Sequence, residues 1–295
     1  MRVAAIDLGS NSTRLLVADV VGGRVDEVVR RLAITGLGEG VDETGVLGDV
    51  PMARVREVVA GYRRELDQLG VRRVLATATS AVRDASNGRT FLDDLTTSFG
   101  LETRVLDGEE EAALTFRGVT SDRRLDSRTL LVDIGGGSTE LVVGDGAGVV
   151  SAVSLQLGCV RLTERFLRSD PPTAAEIAAC TERVRVLLPP LDVPAAIGVA
   201  GTITTLAAID LGEYDPARTH GHLLARSAVE RELVHLAALD LDERRAVPGL
   251  EPARAPVIVA GVVILRDILA AYGLDGIEVS ERDILHGAAL ATAGA

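Results

Sequence analysis

Short apolar runs alternate along this chain with stretches whose apolar residues recur every three or four positions. Val3 to Ile6 is a compact apolar run that leads into Asp7-Leu-Gly-Ser-Asn-Ser12, which predicts a strand and then a turn. Arg14 to Val20 and Val25 to Ile34 predict two more strands, followed by a loop at Gly36-Leu-Gly-Glu-Gly40. Val55, Val58, Val59, Tyr62, Leu66 and Leu69 recur at helical spacing, so residues 52–69 read as an amphipathic helix. Val74 to Thr79 reads as a buried strand, Phe91 to Phe99 as a helix, Thr103 to Leu106 as a strand, and Glu109 to Arg117 as the start of a helix. Thr129 to Ile134 predicts a strand, then a glycine turn and a strand through Val143. Helices are expected near 172–188, 202–209, 227–237, 251–272 and 282–292, with strands near 195–200 and 276–279. The alternation gives an α/β class with mixed sheets.

The pattern contains one internal repeat. Ile6-Asp-Leu-Gly-Ser-Asn-Ser-Thr-Arg-Leu-Leu-Val-Ala-Asp19 aligns with Val132-Asp-Ile-Gly-Gly-Gly-Ser-Thr-Glu-Leu-Val-Val-Gly-Asp145 at an offset of 126 residues, and seven of the fourteen positions are identical. Solenoids and propellers need three or more copies, so two copies imply two related domains facing each other. The expected division is residues 1–116 and 117–280, with a final helix over 281–295 packing back on the first domain.

Composition narrows the partners. The hydrophobic content of 47% supports sizeable cores, while aromatics at 2% leave the packing to Val, Leu, Ile and Ala. The net charge of -12 argues against general nucleic-acid binding, which needs a basic footprint. All 31 basic residues are arginines, which excludes a Walker A lysine and Schiff-base chemistry. Cys159 and Cys180 form no CxxC pair and read as buried reduced thiols. His220, His222, His235 and His286 form no metal-ligand pattern. Asp7 interrupts the apolar start, so no signal peptide is expected, and the run Val257 to Leu265 is too short to span a bilayer. A soluble cytoplasmic protein without membrane contact is expected.

Each repeat sets an aspartate at a strand end, then a glycine turn with small hydroxyl residues. Such a turn brings backbone close to a ligand, permits positive φ, and lines up N–H groups as an anion nest. Asp7, Gly9, Ser10, Asn11, Ser12 and Gly135, Gly136, Gly137, Ser138, Thr139 are therefore candidate phosphate contacts. Arg14 in the first copy is replaced by Glu140 in the second. Arg14 suits phosphate, whereas Asp133 with Glu140 suits Mg2+ or another hard divalent cation; an Arg14–Glu140 salt bridge is the plainer alternative. Arg83 follows a small-residue strand end and is another candidate for bidentate phosphate recognition. In Gly108-Glu-Glu-Glu-Ala112 the acidic residues either make a solvated first helical turn or include a general base, and the residues alone do not say which. Gly201 and Thr202 open a helix after a buried strand and could offer amides to an anion or nucleotide.

With these motifs the chain resembles the exopolyphosphatase/guanosine pentaphosphate phosphatase (Ppx/GppA) family over nearly its whole length. The likeness rests on Asp7-Leu-Gly-Ser-Asn-Ser12, Ala78-Thr-Ser-Ala-Val-Arg83, Gly108-Glu-Glu-Glu-Ala112 with Phe116-Arg-Gly-Val119, Val132 to Glu140, Leu157-Gly-Cys-Val-Arg161 and Ala200-Gly-Thr202. It is strongest to the short actinobacterial exopolyphosphatases. The resemblance implies a duplicated actin-like ATPase (ribonuclease H-like) fold with an interdomain cleft. It implies Glu111 as the catalytic carboxylate, phosphate contacts from the loops at Asp7 and Asp133 with help from Arg83, and a magnesium site at Asp133 and Glu140. Asp107 stands where many members carry Ser or Thr, which implies a change in the pocket's charge. The C-terminal helical domains of longer members have no counterpart in this sequence, which puts processivity on long polymers in question.

The expected reaction is in-line water attack on the terminal phosphoryl group of inorganic polyphosphate. The expected rivals are hydrolysis of guanosine pentaphosphate (pppGpp), a kinase of the same superfold, and a catalytically silent polyphosphate- or nucleotide-binding regulator. A homodimer is expected by family analogy alone.

Overall fold

A computed structural model describes residues Met1 to Gly294, so the predicted helix over 281–295 reaches one residue, Ala295, outside the described range. The chain divides into two compact units: Met1–Arg124 together with the segment from Arg282, and Leu125–Glu281.

The first unit contains β1 (Arg2–Leu8), β2 (Ser12–Val21), β3 (Arg24–Ile34), α1 (Val41–Thr44), α2 (Asp49–Gln68), β4 (Arg73–Ala78), α3 (Ser80–Asp84), α4 (Gly88–Phe99), β5 (Glu102–Val105) and α5 (Gly108–Val119). Its sheet runs in the order β3-β2-β1-β4-β5. The β1, β2 and β3 strands pair antiparallel through short turns, while β4 and β5 join in parallel after helical crossovers. One sheet face carries Ala4, Ile6, Leu15 and Val17, which pack against Val55, Val59 and Leu66 of α2. Those helical residues belong to the stripe that the 3.6-residue periodicity picks out.

The second unit contains β6 (Thr129–Ile134), β7 (Thr139–Asp145), β8 (Gly148–Leu155), α6 (Cys159–Phe166), α7 (Ala174–Leu187), β9 (Ala195–Val199), α8 (Ala200–Leu211), α9 (Pro216–Thr219), β10 (Leu223–Ala225), α10 (Arg226–Ala238), α11 (Leu241–Arg245), α12 (Ile258–Ala271) and β11 (Gly276–Val279). Its sheet order is β10-β11-β9-β6-β7-β8. Without the edge strand β10 this repeats the order of the first sheet, with three antiparallel strands followed by two parallel ones. Both copies carry a ladder irregularity at matching places, Val17/Ala18 and Val143/Gly144. The duplicated α/β organisation of the actin-like ATPase fold is thus present in the strand order of each unit. Apolar on nearly every side, α12 is buried along its length in the core of this unit.

The last helix, α13 (Ile284–Ala293), lies on the other face of the first sheet, where Leu285, Ala288 and Ala289 meet Val3, Ala5 and Leu16. It also presses on α5. A Cβ at Gly118 would lie 1.8 Å from the Asp283 carbonyl, and one at Gly287 would lie 1.9 Å from the Leu114 carbonyl. The two helices can approach this closely only with glycine at both points.

One predicted element shifts and one strand is added. The helix expected over 251–272 begins only at Ile258, after a 3-10 turn at Pro252–Arg254. Pro252 and Pro256 lack a backbone N–H, so an unbroken α-helical hydrogen-bond ladder cannot run through this stretch. The β8 strand was missed because it is an edge strand whose Val149 and Val150 face solvent, so its pattern lacks a buried alternation. Among the described residues no helix is long and apolar enough to cross a membrane.

Candidate active site

Each repeat forms the same turn. In the first, Gly9 N–H donates to the Ser12 carbonyl at 3.0 Å; in the second, Gly135 N–H donates to the Ser138 carbonyl at 3.0 Å. The two glycines do not use positive φ, contrary to one reason the sequence suggested for them. They answer to crowding: a Cβ would lie 3.0 Å from the Ser12 carbonyl at Gly9, and 3.1 Å from the Ser138 carbonyl at Gly135.

The carbonyls of each turn are pinned from behind. In the second unit Gly135 C=O accepts from Cys159 N–H at 3.0 Å, and Gly136 C=O from Val160 and Arg161 N–H at 2.9 and 3.2 Å. The Gly137 carbonyl accepts from Arg161 Nε at 2.8 Å. A trans peptide points its N–H opposite its C=O. The amides of Gly136, Gly137 and Ser138 therefore face away from α6, side by side, as an anion nest requires. In the first unit Asn11 C=O accepts from Thr35 and Gly36 N–H at 3.1 and 3.0 Å, and Ser10 C=O accepts from Gly38 N–H at 2.7 Å. That turns the Asn11 and Ser12 amides outward in the same way.

The hydroxyls divide into two groups. Ser10 Oγ lies 2.9 Å from Ser80 Oγ at the start of α3. The Thr139 hydroxyl donates inward to the Leu157 carbonyl at 2.5 Å and is fully buried. Ser138 is buried in its own turn.

The aspartates that end β1 and β6 stand opposite different partners. Asp7 is registered against Arg14, and Asp133 against Glu140. Directly paired residues project to one face of a sheet. Arg14 donates Nε and a terminal N–H to Asp7 Oδ2 at 2.9 and 2.6 Å, and its other terminal nitrogen to Asp283 Oδ2 at 2.5 Å. Asp7 Oδ1 is buried and accepts no hydrogen bond. Burial raises the Asp7 carboxyl above its ordinary value, against the pull of Arg14. Burial would raise Asp283 as well, but Arg14, His286 and Arg30 outweigh it and hold that carboxyl well below the usual range. Across the second hairpin, Asp133 and Glu140 are both buried, and Ser154 Oγ donates to Glu140 Oε1 at 2.7 Å.

The three glutamates at the start of α5 separate by role. Glu109 is exposed. Glu110 closes a capping box: its backbone N–H donates to Asp107 at 2.9 Å, and its carboxylate accepts from the Asp107 N–H at 3.0 Å. Glu111 is buried, and its Oε2 lies 3.4 Å from a terminal nitrogen of Arg83. Arg83 is also held by the Leu106 carbonyl at 2.8 Å. The Asp107 carboxylate is thus taken up as the helix cap, the role that Ser or Thr fills equally well. Within the first unit the structure brings Arg83 to Glu111 and ties the Ser10 turn to the helix that carries Arg83.

Gly201 and Thr202 open α8 just past Val199, which is registered beside Asp133, and Thr202 hydrogen-bonds Cys159 behind the second turn. Ala200 has φ +68°, an uncommon value for a residue with a Cβ. Arg254 donates to the Gly201 carbonyl and to Thr205 Oγ1 at 2.7 and 2.8 Å, and a Cβ at Gly201 would strike its guanidinium at 2.8 Å. Thr202 is buried against Gly261 of α12.

Sequence reasoning missed Asp283 and His286. His286 is fully buried, with Nδ1 3.4 Å from Asp283 Oδ1 and Nε2 2.9 Å from Glu27 Oε1. A chain of paired side chains therefore runs inward from exposed Glu27 through His286, Asp283 and Arg14 to Asp7. No local signal marks it, because Asp283 meets Arg14 across 269 residues. The supports behind the turns did leave a trace: Leu37-Gly38 and Leu157-Gly158 repeat at an offset of 120 rather than 126. Both leucines are fully buried, and a Cβ on Gly158 would lie 2.2 Å from the Gly136 carbonyl. Cys159 and Cys180 are free and buried, with burial pushing their thiols up to about 11 and about 12.

Comparison with known proteins follows the same lines. The model of the Ppx/GppA phosphatase family matches residues 16–293. Exopolyphosphatase 2 of Mycobacterium tuberculosis is 39% identical, with 99% of each chain covered. A guanosine-5'-triphosphate,3'-diphosphate pyrophosphatase of Vibrio parahaemolyticus is 30% identical over 94% of this chain and 56% of its own. Among solved structures, an exopolyphosphatase from Cytophaga hutchinsonii superposes with a TM-score of 0.92 at 29% identity, covering 100% of this chain and 98% of that one. The Aquifex aeolicus Ppx/GppA family member gives 0.82 at 34% identity, covering 99% and 97%.

Proposed function

We propose that this chain, which belongs to the Ppx/GppA phosphatase family, is an exopolyphosphatase that releases terminal orthophosphate from inorganic polyphosphate. The observation that carries the reading is the buried Glu111 carboxylate 3.4 Å from Arg83. Glu111 takes a proton from water as the water oxygen attacks the terminal phosphorus. The new P–O bond forms in line with the phosphoanhydride bond that breaks. Orthophosphate departs and the polymer is one unit shorter. Positioning and charge stabilisation do most of the catalysis in such transfers.

The outward amides of Asn11 and Ser12 in the first unit, and of Gly136, Gly137 and Ser138 in the second, receive phosphate oxygens. The Ser10, Ser12 and Ser138 hydroxyls add donors. Arg83 orients the Glu111 carboxylate from 3.4 Å and offers its remaining N–H groups to the substrate. Arg14 serves by fixing Asp7, which in turn shapes the first turn. Thr139, Gly201 and Thr202 act from within the protein by supporting the second turn.

Asp133 and Glu140 would hold Mg2+ or another hard divalent cation, whose charge when bound would offset that of the phosphoryl oxygens. The donor set fits. It offers only carboxylate oxygen, from two buried residues registered directly opposite each other across the hairpin. Mg2+ is commonly held by one or two carboxylates, with substrate oxygens and water completing its shell.

A second reading, hydrolysis of pppGpp, is favoured by the likeness to the Vibrio pyrophosphatase. The test is phosphate release from polyphosphate and from pppGpp, with and without Mg2+, by the native chain and Glu111→Gln. The first reading expects faster release from polyphosphate and a loss of about 10²- to 10⁴-fold in the variant. Near-native turnover by Glu111→Gln removes that residue from the role, and faster release from pppGpp supports the second reading.

A further inference from the structure

The first unit has a cavity of about 440 Å³ whose walls include Arg63 of α2, Arg72 and Arg73 at the start of β4, Glu102 and Arg104 of β5, and Thr292 of α13. It opens at the N-terminal ends of β4 and β5. The Asp7 turn lies at the other end of the same sheet, past the C-terminal end of β1. A strand the length of β4 spans about 20 Å, so the two places are distinct.

Four guanidinium groups face one carboxylate on these walls, in a chain whose net charge is -12. Arg63 is paired with Asp67 at 2.6 Å, and Arg104 is paired with Glu110. Among the described residues Arg72 and Arg73 make no ion pair. Neighbouring like charges repel, and a bound anion removes that cost. The volume falls in the range of ligand sites, but the lining is charged where drug-like pockets are apolar. Planar forks from several directions match the non-bridging oxygens of successive phosphates better than a lone carboxylate.

We propose that this cavity binds a linear phosphate chain at a second site, remote from the hydrolytic turns. The chain has two sources: a distal stretch of the polymer whose end is being hydrolysed, or a nucleoside polyphosphate that acts as an effector. Only the first source rests on the exopolyphosphatase reading.

The test uses the full chain with Arg72→Ser/Arg73→Ser, and Arg64→Ser as an exposed control outside the cavity. Direct titration with tripolyphosphate, long-chain polyphosphate and pppGpp is followed calorimetrically in the Glu111→Gln background, which reports binding whether or not the protein hydrolyses anything. The proposal expects two classes of phosphate-chain site, with one weakened at least tenfold by the double substitution and unaffected by Arg64→Ser. Steep weakening with salt is expected for that class. If the polymer is the ligand, the KM for long-chain polyphosphate rises about tenfold while tripolyphosphate turnover is unchanged. If the nucleotide is the ligand, the double substitution removes pppGpp binding at that class and leaves the KM for long-chain polyphosphate unchanged. One class of site in the native chain, or two classes that the double substitution leaves intact, overturns the proposal. No hydrolysis by the native chain, with the class sensitive to the double substitution present, would sink the exopolyphosphatase reading alone.

Discussion

In both units a strand ends in aspartate, turns through glycine with the same 3.0 Å hydrogen bond, and returns with a residue registered opposite that aspartate. The first hairpin places arginine there, and the guanidinium binds Asp7 and Asp283. The second places glutamate, held by Ser154. One frame thus carries a carboxylate with its cation built in, while the other carries two carboxylates suited to a cation from solution. The difference teaches that the backbone of the repeat sets where amides point, and a single paired position sets the charge that the turn presents.

The sharpest way to break this contrast is at position 140. Glu140→Gln is expected to lower phosphate release about 10³-fold, in the range for removing one preorganised electrostatic group, with little loss of fold. A steady-state assay across Mg2+ concentration checks it, and unchanged turnover would mean that the second hairpin is not charged for a metal. In the first hairpin the expected damage is to stability instead. Asp283→Ala removes a buried carboxylate shared by Arg14 and Arg30 that also caps α13, and should cost about 3–5 kcal/mol by denaturant unfolding.

The pH dependence has a definite sign. Asp283 is held below its unfolded value, so its contribution is complete above about pH 4 and fades as pH falls through its folded value. Asp7 is raised, so its ionisation costs stability as pH climbs just above that range. Unfolding curves of the native chain should therefore steepen in their acid loss relative to Asp283→Asn, and parallel curves would refute the assignment.

The supports behind the turns give a smaller contrast. Gly158→Ala meets a backbone carbonyl at 2.2 Å, whereas Gly38→Ala meets the Ser10 side chain at 2.8 Å. Thermal unfolding should find Gly158→Ala the worse of the two, at about 1–3 kcal/mol. Ser154→Ala removes one hydrogen bond to Glu140 and should cost about 1.5 kcal/mol, visible as weakened Mg2+ dependence rather than lost turnover.

Much of this was legible in the residues. The repeat fixed both hairpins, because strand, turn and return are local and their spacing survived duplication. The Asp107–Glu110 capping box is local, but Glu111 could not be singled out on physical grounds because its burial and its contact with Arg83 of α3 depend on tertiary packing. The engagement of Arg14 was illegible, because its second carboxylate comes from the far end of the chain. Gly9 and Gly135 were recognised for backbone freedom, but crowding by the Ser12 and Ser138 carbonyls of their own turns explains them.

The most direct test of the central claim is a titration of the full chain with Mn2+, followed by its paramagnetic effect on water relaxation and repeated with Glu140→Gln, Asp133→Asn and Arg14→Gln. The account predicts one divalent site in the native chain, weakened at least tenfold by either change in the second hairpin and retained in Arg14→Gln. Native-strength binding in Glu140→Gln and Asp133→Asn, or loss confined to Arg14→Gln, would contradict it.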